Sequence, residues 1–332
     1  MSGKGTKDDF GRDEARRQFT LVWGLLAVVV TALVVSGFLA LVNNVNAKPL
    51  QVIAYCAQDQ DFAEPILRDF QKETRIKVRT VYDSEAVKTV GLANRLLAER
   101  AHPQCDVFWG NEEMRARQLA AQNVFRQTNG WAAFGCRSRR LVINTNRLAL
   151  ASAPRSLAEL TNAAWGGKLA LALPQFGTTS THFHALRQAW GPERWLAWCR
   201  GLAANKPFLV DGNSVVVKLV GSGEAWLGLT DSDDIAAGQR EGLPVAALPL
   251  SEGMLLIPNT AAVTRNTPHP AVAQRLFDYL QRPEVVRRLM AAHALEAPSP
   301  DAVSTPTLKP NWDALLRDLE PTTAQLNEIF LR

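Results

Sequence analysis

The chain has 332 residues, 47 % of them hydrophobic, enough to bury the cores of two folding units of ordinary size. Its 37 basic and 32 acidic residues leave a net charge of +5, spread without basic blocks. Such a dilute charge excludes a nucleic-acid footprint.

Residues 1–19 form a short polar segment, and residues 20–42, "TLVWGLLAVVVTALVVSGFLALV", carry no charge. At about 1.5 Å per residue the second stretch reaches roughly 35 Å, enough to cross a hydrocarbon core of about 30 Å with some tilt. Arg16 and Arg17 precede it, while the "NNVNA" that follows is neutral. The positive-inside rule then places the N-terminus in the cytoplasm and everything after residue 47 outside it. The stretch reads as a retained signal anchor, with a long signal peptide cleaved after Val45-Asn46-Ala47 as the alternative. Cys56, Cys105, Cys136 and Cys199 fall in the exported part, where an even number permits one or two disulfides. Without CxxC or Cys/His clustering, a structural zinc site is not expected.

After the anchor, strand and helix alternate. "LQVIAYC" (50–56) predicts a buried strand, residues 62–73 a helix, and "IKVRTVY" (76–82) a strand with alternating faces. Residues 85–100 predict a helix, "CDVFWG" (105–110) a short buried strand and residues 112–122 a helix. The second half predicts strands at 139–146, 168–174, 225–230 and 253–264, and helices at "SLAELTN", after "QFGTTST" and over 270–292. Trp190, Trp195 and Trp198 lie at core spacing. A Pro-rich tether (298–310) precedes a C-terminal helix. Repeated β-α-β predicts mostly parallel sheets with helices on both faces. The expected division is a lobe of residues 48–139 and 260–300, a second lobe of 140–259, and a tail of 301–332. A chain that passes between two α/β lobes twice makes a hinged cleft, and ligands of open α/β sheets sit outside the carboxyl ends of the strands.

The residues just after strands are therefore the informative ones. The first such loop offers Asp59; the loop after 105–110 offers Asn111, Glu112 and the ring of Trp109. Thr178, Thr179 and Ser180 open one helix, and Asn213 and Ser214 another; hydroxyls and free N–H groups there make an oxyanion cradle or plain N-caps. Asp231, Asp233 and Asp234 follow an apolar run, and like charges so close raise one another's pKa or require a cation. An oxygen-rich set suits a hard ion or an organic ammonium. His182 and His184 are two apart on a helix and form no chelating pair. No nucleophile elbow, HExxH, Walker loop or GxGxxG is present, so no enzymatic chemistry is expected.

"VIAYCAQDQDFAEPILRDFQKETRIKV", "DVFWGNE", "SRRLVINTN", "LAELTNAAWGGKLALALP", "GNSVVVKLVGSGEAWLGLTDSDD" and "AVAQRLFDYLQRPEVVRRL" together resemble the ferric-ion-binding, extracellular solute-binding proteins of ABC transporters. The resemblance runs in order from about residue 50 to 295. It implies a type II periplasmic binding fold, two lobes joined by two crossover strands, closing on a ligand. In that family a His after the first strand binds iron; here Asp59 stands there. The family's Glu after the "DVF" strand falls on Asn111, with Glu112 one step away. The adjacent tyrosine pair that supplies phenolates is replaced by Asp231-Ser232-Asp233. The anion-binding segments are kept at Thr178–Ser180 and Asn213-Ser214, and Arg137 or Arg139 is placed to meet an anion.

The resulting expectation is a membrane-anchored, extracytoplasmic solute receptor that delivers its ligand to an ABC permease. The ligand is a hard metal cation, iron first, with a synergistic anion, and Asp59, Asp231 and Asp233 are its candidate metal ligands. A small organic solute with an ammonium, phosphonate or phosphate group is the alternative, and a membrane-anchored sensor receptor a further one.

Overall fold

The computed structural model describes residues 26, 28–36, 50–82, 88–128, 130–248, 250 and 252–331, and the chain divides into two compact units, 1–49 and 50–332. In the first unit residues 26 and 28–36 are helical and exposed. The rest of the expected 20–42 span, the segment before it and the Val45–Ala47 boundary lie outside the described residues. Among the described residues no helix is long and apolar enough to cross a membrane.

The second unit is built on strands β1 (Gln51–Cys56), β2 (Lys77–Tyr82), β3 (Val107–Gly110), β4 (Trp131–Asn144), β5 (Leu169–Ala172), β6 (Phe208–Val210), β7 (Leu227–Asp231), β8 (Val245–Leu248) and β9 (Leu256–Val263). Between and after them run helices α1 (Gln60–Thr74), α2 (Lys88–Ala98), α3 (Glu113–Ala121), α4 (Gly177–Trp190), α5 (Pro192–Ala204), α6 (Asn213–Ser222) and α7 (Ser232–Arg240). Helices α8 (Pro270–Leu280), α9 (Pro283–Ala291), α10 (Trp312–Arg317) and α11 (Leu319–Phe330) complete the unit.

The strand order is β2-β1-β3-β9-β4-β7-β5-β6, with β8 pairing β4. Strand β4 makes the crossover: Trp131–Ser138 pair with β9, and Arg139–Ile143 pair with β7. Each half of the sheet is buried on both faces, which is why its strands read as apolar runs. In the first half Val52, Ala54 and Cys56 of β1 join Phe70, Trp109 and Leu276 on one side, while Tyr55 joins Leu92, Phe108 and Leu119 on the other. In the second, Leu141 and Ile143 meet Phe183, Trp195 and Trp198, and Val142 faces Val216 and Ile235. The tryptophan spacing thus marked core, with Trp190 packed at its margin.

Gly135 lies at a register shift in the β4–β9 ladder with φ +57, a conformation that costs glycine little. A Cβ there would also meet the Leu295 side chain, so the kink in the crossover strand depends on a residue without one.

Four expectations need correction, and two short strands were not foreseen. The sheet is mixed rather than mostly parallel, because the pairs β3–β9, β4–β7, β4–β8 and β4–β9 are antiparallel. The 270–292 helix is two helices, because Pro283 lacks an N–H and drives Arg282 to an extended ψ of 138. "SLAELTN" forms only a 3-10 turn at Ala158–Thr161, which ends before Asn162 caps the next turn. Strands β6 and β8, of three and four residues, are too short to leave a periodic signal. All four cysteines are buried thiols outside any disulfide. Burial pushes the Cys105 and Cys136 thiols up to about 12, which keeps them protonated and poorly nucleophilic.

Candidate functional site

The last residue of β7, Asp231, stands directly opposite Arg139 of β4 in the antiparallel ladder. Residues two apart on a strand share a face, so Arg137 presents its guanidinium beside that of Arg139. Asp231 Oδ1 accepts from Arg139 Nη1 at 2.7 Å, and its Oδ2 accepts from Arg137 Nε and Nη2, each at 3.3 Å. Thr178, at the start of α4, adds its hydroxyl at 2.7 Å, and Asn213, at the start of α6, adds Nδ2 at 3.3 Å. Burial alone would raise the Asp231 carboxyl; Arg139, Arg137 and the hydrogen bonds outweigh it and hold the group below the ordinary carboxylate range. Burial likewise opposes the charge on Arg137, but Asp233, Asp231, Asp59 and Asp234 together keep it firmly protonated.

Asp231 was expected to face a cation in the cleft. The cation it meets is the protein's own arginine pair.

The other carboxylates lie on the open side of this cluster. Asp233 and Asp234 occupy the first turn of α7, where the helix dipole favours negative charge. They line a cavity of about 590 Å³ together with Asp59 and Phe62 from the β1–α1 junction, Tyr82 of β2 and Ser214 of α6. Acidic groups dominate the wall, with Asp59, Asp61, Asp233, Asp234 and Glu241 against Lys218 and Arg240. One ligand atom from each of Asp231, Asp233 and Asp234 can be chosen so that all lie within 4.8 Å of one another. Asp233 Oδ2 pairs with Arg137 Nε at 3.2 Å, whereas its buried Oδ1 has no hydrogen-bond partner. Burial pushes the Asp233 carboxyl up to about 7: Arg137 pulls it down, but Asp231 and Asp59 add to the effect of burial.

The remaining predicted site residues have structural partners. The Trp109 ring is buried in the core beside Phe134 instead of facing the cleft, because strand alternation turns it to the α1–α8 side. Glu112 is fully buried and caps α3, accepting from Met114 N at 2.7 Å and Arg115 N at 3.0 Å; burial raises its pKa. Asn111 offers its carbonyl to Arg137 Nη1 at 2.9 Å. Thr179 donates to Asn213 Oδ1 at 3.3 Å, and Ser180 lies within 3.4 Å of His184 Nδ1, so neither hydroxyl points to the cavity wall. His182 and His184 sit apart, as expected: His182 meets the Gly253 carbonyl, His184 those of Ser180 and Leu319.

Sequence reading underweighted Arg139, which is 0 % exposed and central to the cluster. The signal was available in "CRSRR", two arginines at period two inside a buried strand, a placement tolerated only with paired charges. Gln58 was missed as well; its Oε1 holds Asn259, whose own Oδ1 accepts from Arg137.

The family model described as bacterial extracellular solute-binding protein matches residues 52–293. A relative named major ferric iron-binding protein, from Neisseria meningitidis, is 25 % identical over 285 residues, covering 78 % of this chain and 84 % of the relative. The Fe(3+)-binding periplasmic protein of Serratia marcescens is 29 % identical over 196 residues, covering 54 % of this chain and 56 % of the relative. Among solved structures, iron-bound HitA from Pseudomonas aeruginosa superposes with a TM-score of 0.71 at 20 % identity over 85 % of this chain and 99 % of its own. AfuA from Actinobacillus pleuropneumoniae, with fructose-6-phosphate bound, gives 0.74 at 14 % identity over 85 % and 98 %. At those identities the two structures speak for the fold alone, an α/β fold of the two-lobed periplasmic binding type.

Proposed function

The chain belongs to the family of bacterial extracellular solute-binding proteins, and from that premise we propose that it captures a hard metal cation, iron first, with an accompanying anion, in the cavity between its lobes. The observation that carries this reading is the buried Asp233 Oδ1, an acceptor with no donor, set among Asp231 and Asp234 in an acidic wall. An unpaired buried acceptor is costly, and a cation bound there would remove that cost. The donors are hard oxygens, as iron(III) and similar ions prefer. Asp233 and Asp234 would hold the ion with Asp59 closing from the other lobe, while Asp231 keeps the arginines neutralised behind them. The relatives' names point to the same cargo.

The proposed lobes are 48–139 with 260–300, and 140–259, with 301–332 as the tail. The cargo would pass non-covalently to the membrane subunits of an ABC importer. Residues 20–42 would anchor the receptor on the extracytoplasmic face of the membrane, given their length without charge and the arginines that precede them.

A second reading, a small organic solute with an ammonium group, is favoured by one feature. Phe62 and Tyr82 line the same cavity, and Arg240 already places its guanidinium 5.7 Å from the Phe62 ring, so that aromatic face accepts cations.

Native mass spectrometry and thermal shift of the full-length protein separate the two, with ferric nitrilotriacetate, divalent ions and polyamines as probes. The metal reading expects a retained ion and a raised Tm with iron that chelation reverses. A shift with polyamines and none with any metal would sink it in favour of the second.

A further inference from the structure

Resting on the cation-binding reading but assigning its accompanying anion to the protein itself, we infer that Asp231 is this site's resident anion: its carboxylate fills the oxyanion cradle, so the cleft takes a cation without recruiting an oxyanion from solution.

The cradle has the parts an external oxyanion would use. Hydroxyl and amide side chains stand at the starts of two helices, Thr178 on α4 and Asn213 on α6, in front of two arginines on adjacent positions of one strand face. Those donors are already committed. Thr178 Oγ1, Asn213 Nδ2, Arg139 Nη1 and Arg137 Nε and Nη2 all point at Asp231. The other donations go to the protein as well, Arg137 Nη1 to the Asn111 carbonyl and Asn259 Oδ1, and Arg139 Nη2 to the Leu229 carbonyl. The Arg139 Nε–H has no partner, but it is fully buried behind the filled cradle.

Access and charge reinforce the geometry. Asp231 is 2 % exposed, so the cluster has no mouth through which phosphate could enter without evicting it. Removing Asp231 takes the carboxylate from buried Arg139 and leaves Arg137 with Asp233, a step that costs several kcal/mol in comparable buried pairs. The cavity in front presents Asp59, Asp233 and Asp234, which repel an approaching oxyanion. The β4–β7 register puts Asp231 opposite Arg139, so the internal anion is delivered by backbone pairing rather than by binding. One carboxylate therefore sets specificity: cations enter, and bare phosphate, sugar phosphates and dicarboxylates do not.

Thermal unfolding of the full-length protein and its Asp231→Ala and Asp231→Asn variants, in phosphate against chloride at equal ionic strength and with phosphate dilute enough that its general salting-out stabilisation is negligible, tests this without any metal. The wild type is expected to show the same Tm in both salts. Each variant is expected to lose stability in chloride and regain about 5 °C or more in phosphate, as an external anion fills the vacated cradle. Formate should rescue Asp231→Ala in the same way, because it restores the missing carboxylate. Stabilisation of the wild type by phosphate, or indifference of both variants to every anion, overturns the inference. A protein that binds no cation but behaves as described would discard the cargo reading and keep the internal anion.

Discussion

The Thr181 hydroxyl donates to the buried Glu112 carboxylate at 2.9 Å, tying the first turn of α4 in one half of the molecule to the N-terminus of α3 in the other. Glu112 thus caps α3 and holds α4 with one side chain. Glu112→Ala should cost about 2–3 kcal/mol, the loss of a cap and of a buried acceptor. Thr181→Val should cost about 1 kcal/mol, and the double variant less than the sum. Denaturant unfolding measures these. Loss of ligand affinity at unchanged stability would instead make Glu112 a ligand contact.

Arg139 and Asp231 invite a double-mutant cycle. Arg139→Leu alone should destabilise by about 3–5 kcal/mol, because it strips one of two arginine partners from a buried carboxylate. Adding Asp231→Leu should recover much of that loss, since Arg137 retains Asp233 at 3.2 Å. Fully additive losses would refute the coupling.

Asp233 makes the unliganded protein's stability pH-dependent. Its folded pKa, about 7, lies above that of an unfolded Asp, about 4. The unfolded chain therefore gives up this proton first. The stabilisation is complete below about pH 4 and is lost as pH rises through about 7. Asp231, with a lowered pKa, acts oppositely: its contribution is present above the ordinary carboxylate range and lost as pH falls. Asp233→Asn should flatten the fall in Tm between pH 5 and 8, while leaving the acid limb in place. An unchanged slope in that variant would assign the fall to another group.

The same proton should compete with the cargo. A cation bound at Asp233 must displace it, so affinity should fall by up to about tenfold per pH unit below about 7. Calorimetry in two buffers of different ionisation heat would detect the released proton. Binding with neither proton release nor pH dependence would place the cation elsewhere.

Cavity and core residues should separate cleanly. Asp59→Asn and Asp234→Asn remove charge from the cavity wall and should each weaken cation binding by about tenfold or more, with Tm within about 2 °C of wild type. Trp109→Ala should do the reverse, costing about 3–5 kcal/mol of stability with cargo affinity intact in the folded fraction. Equal affinity in all three proteins would move the cargo out of this cavity.

Much of the molecule follows from local pattern. Apolar runs broken by polar, helix-opening residues produced the β-α alternation, and the rule that ligands gather beyond strand ends led to Asp59, Asp233, Asp234 and Ser214, which share one cavity. What the local pattern left open was partnership. Period-two alternation tells which side chains share a face of a strand, but not which strand lies beside it or in what register. Arg139 and Asp231 are 92 residues apart, and only the β4–β7 ladder makes them opposites. Glu112 reads as a free acid until α3 forms above it, and Trp109 as a cleft ring until β3 takes its place between β1 and β9. A charge in a sequence has a sign. Its counter-charge is chosen by the folded chain, because burial makes pairing obligatory and topology decides who is near enough to pair.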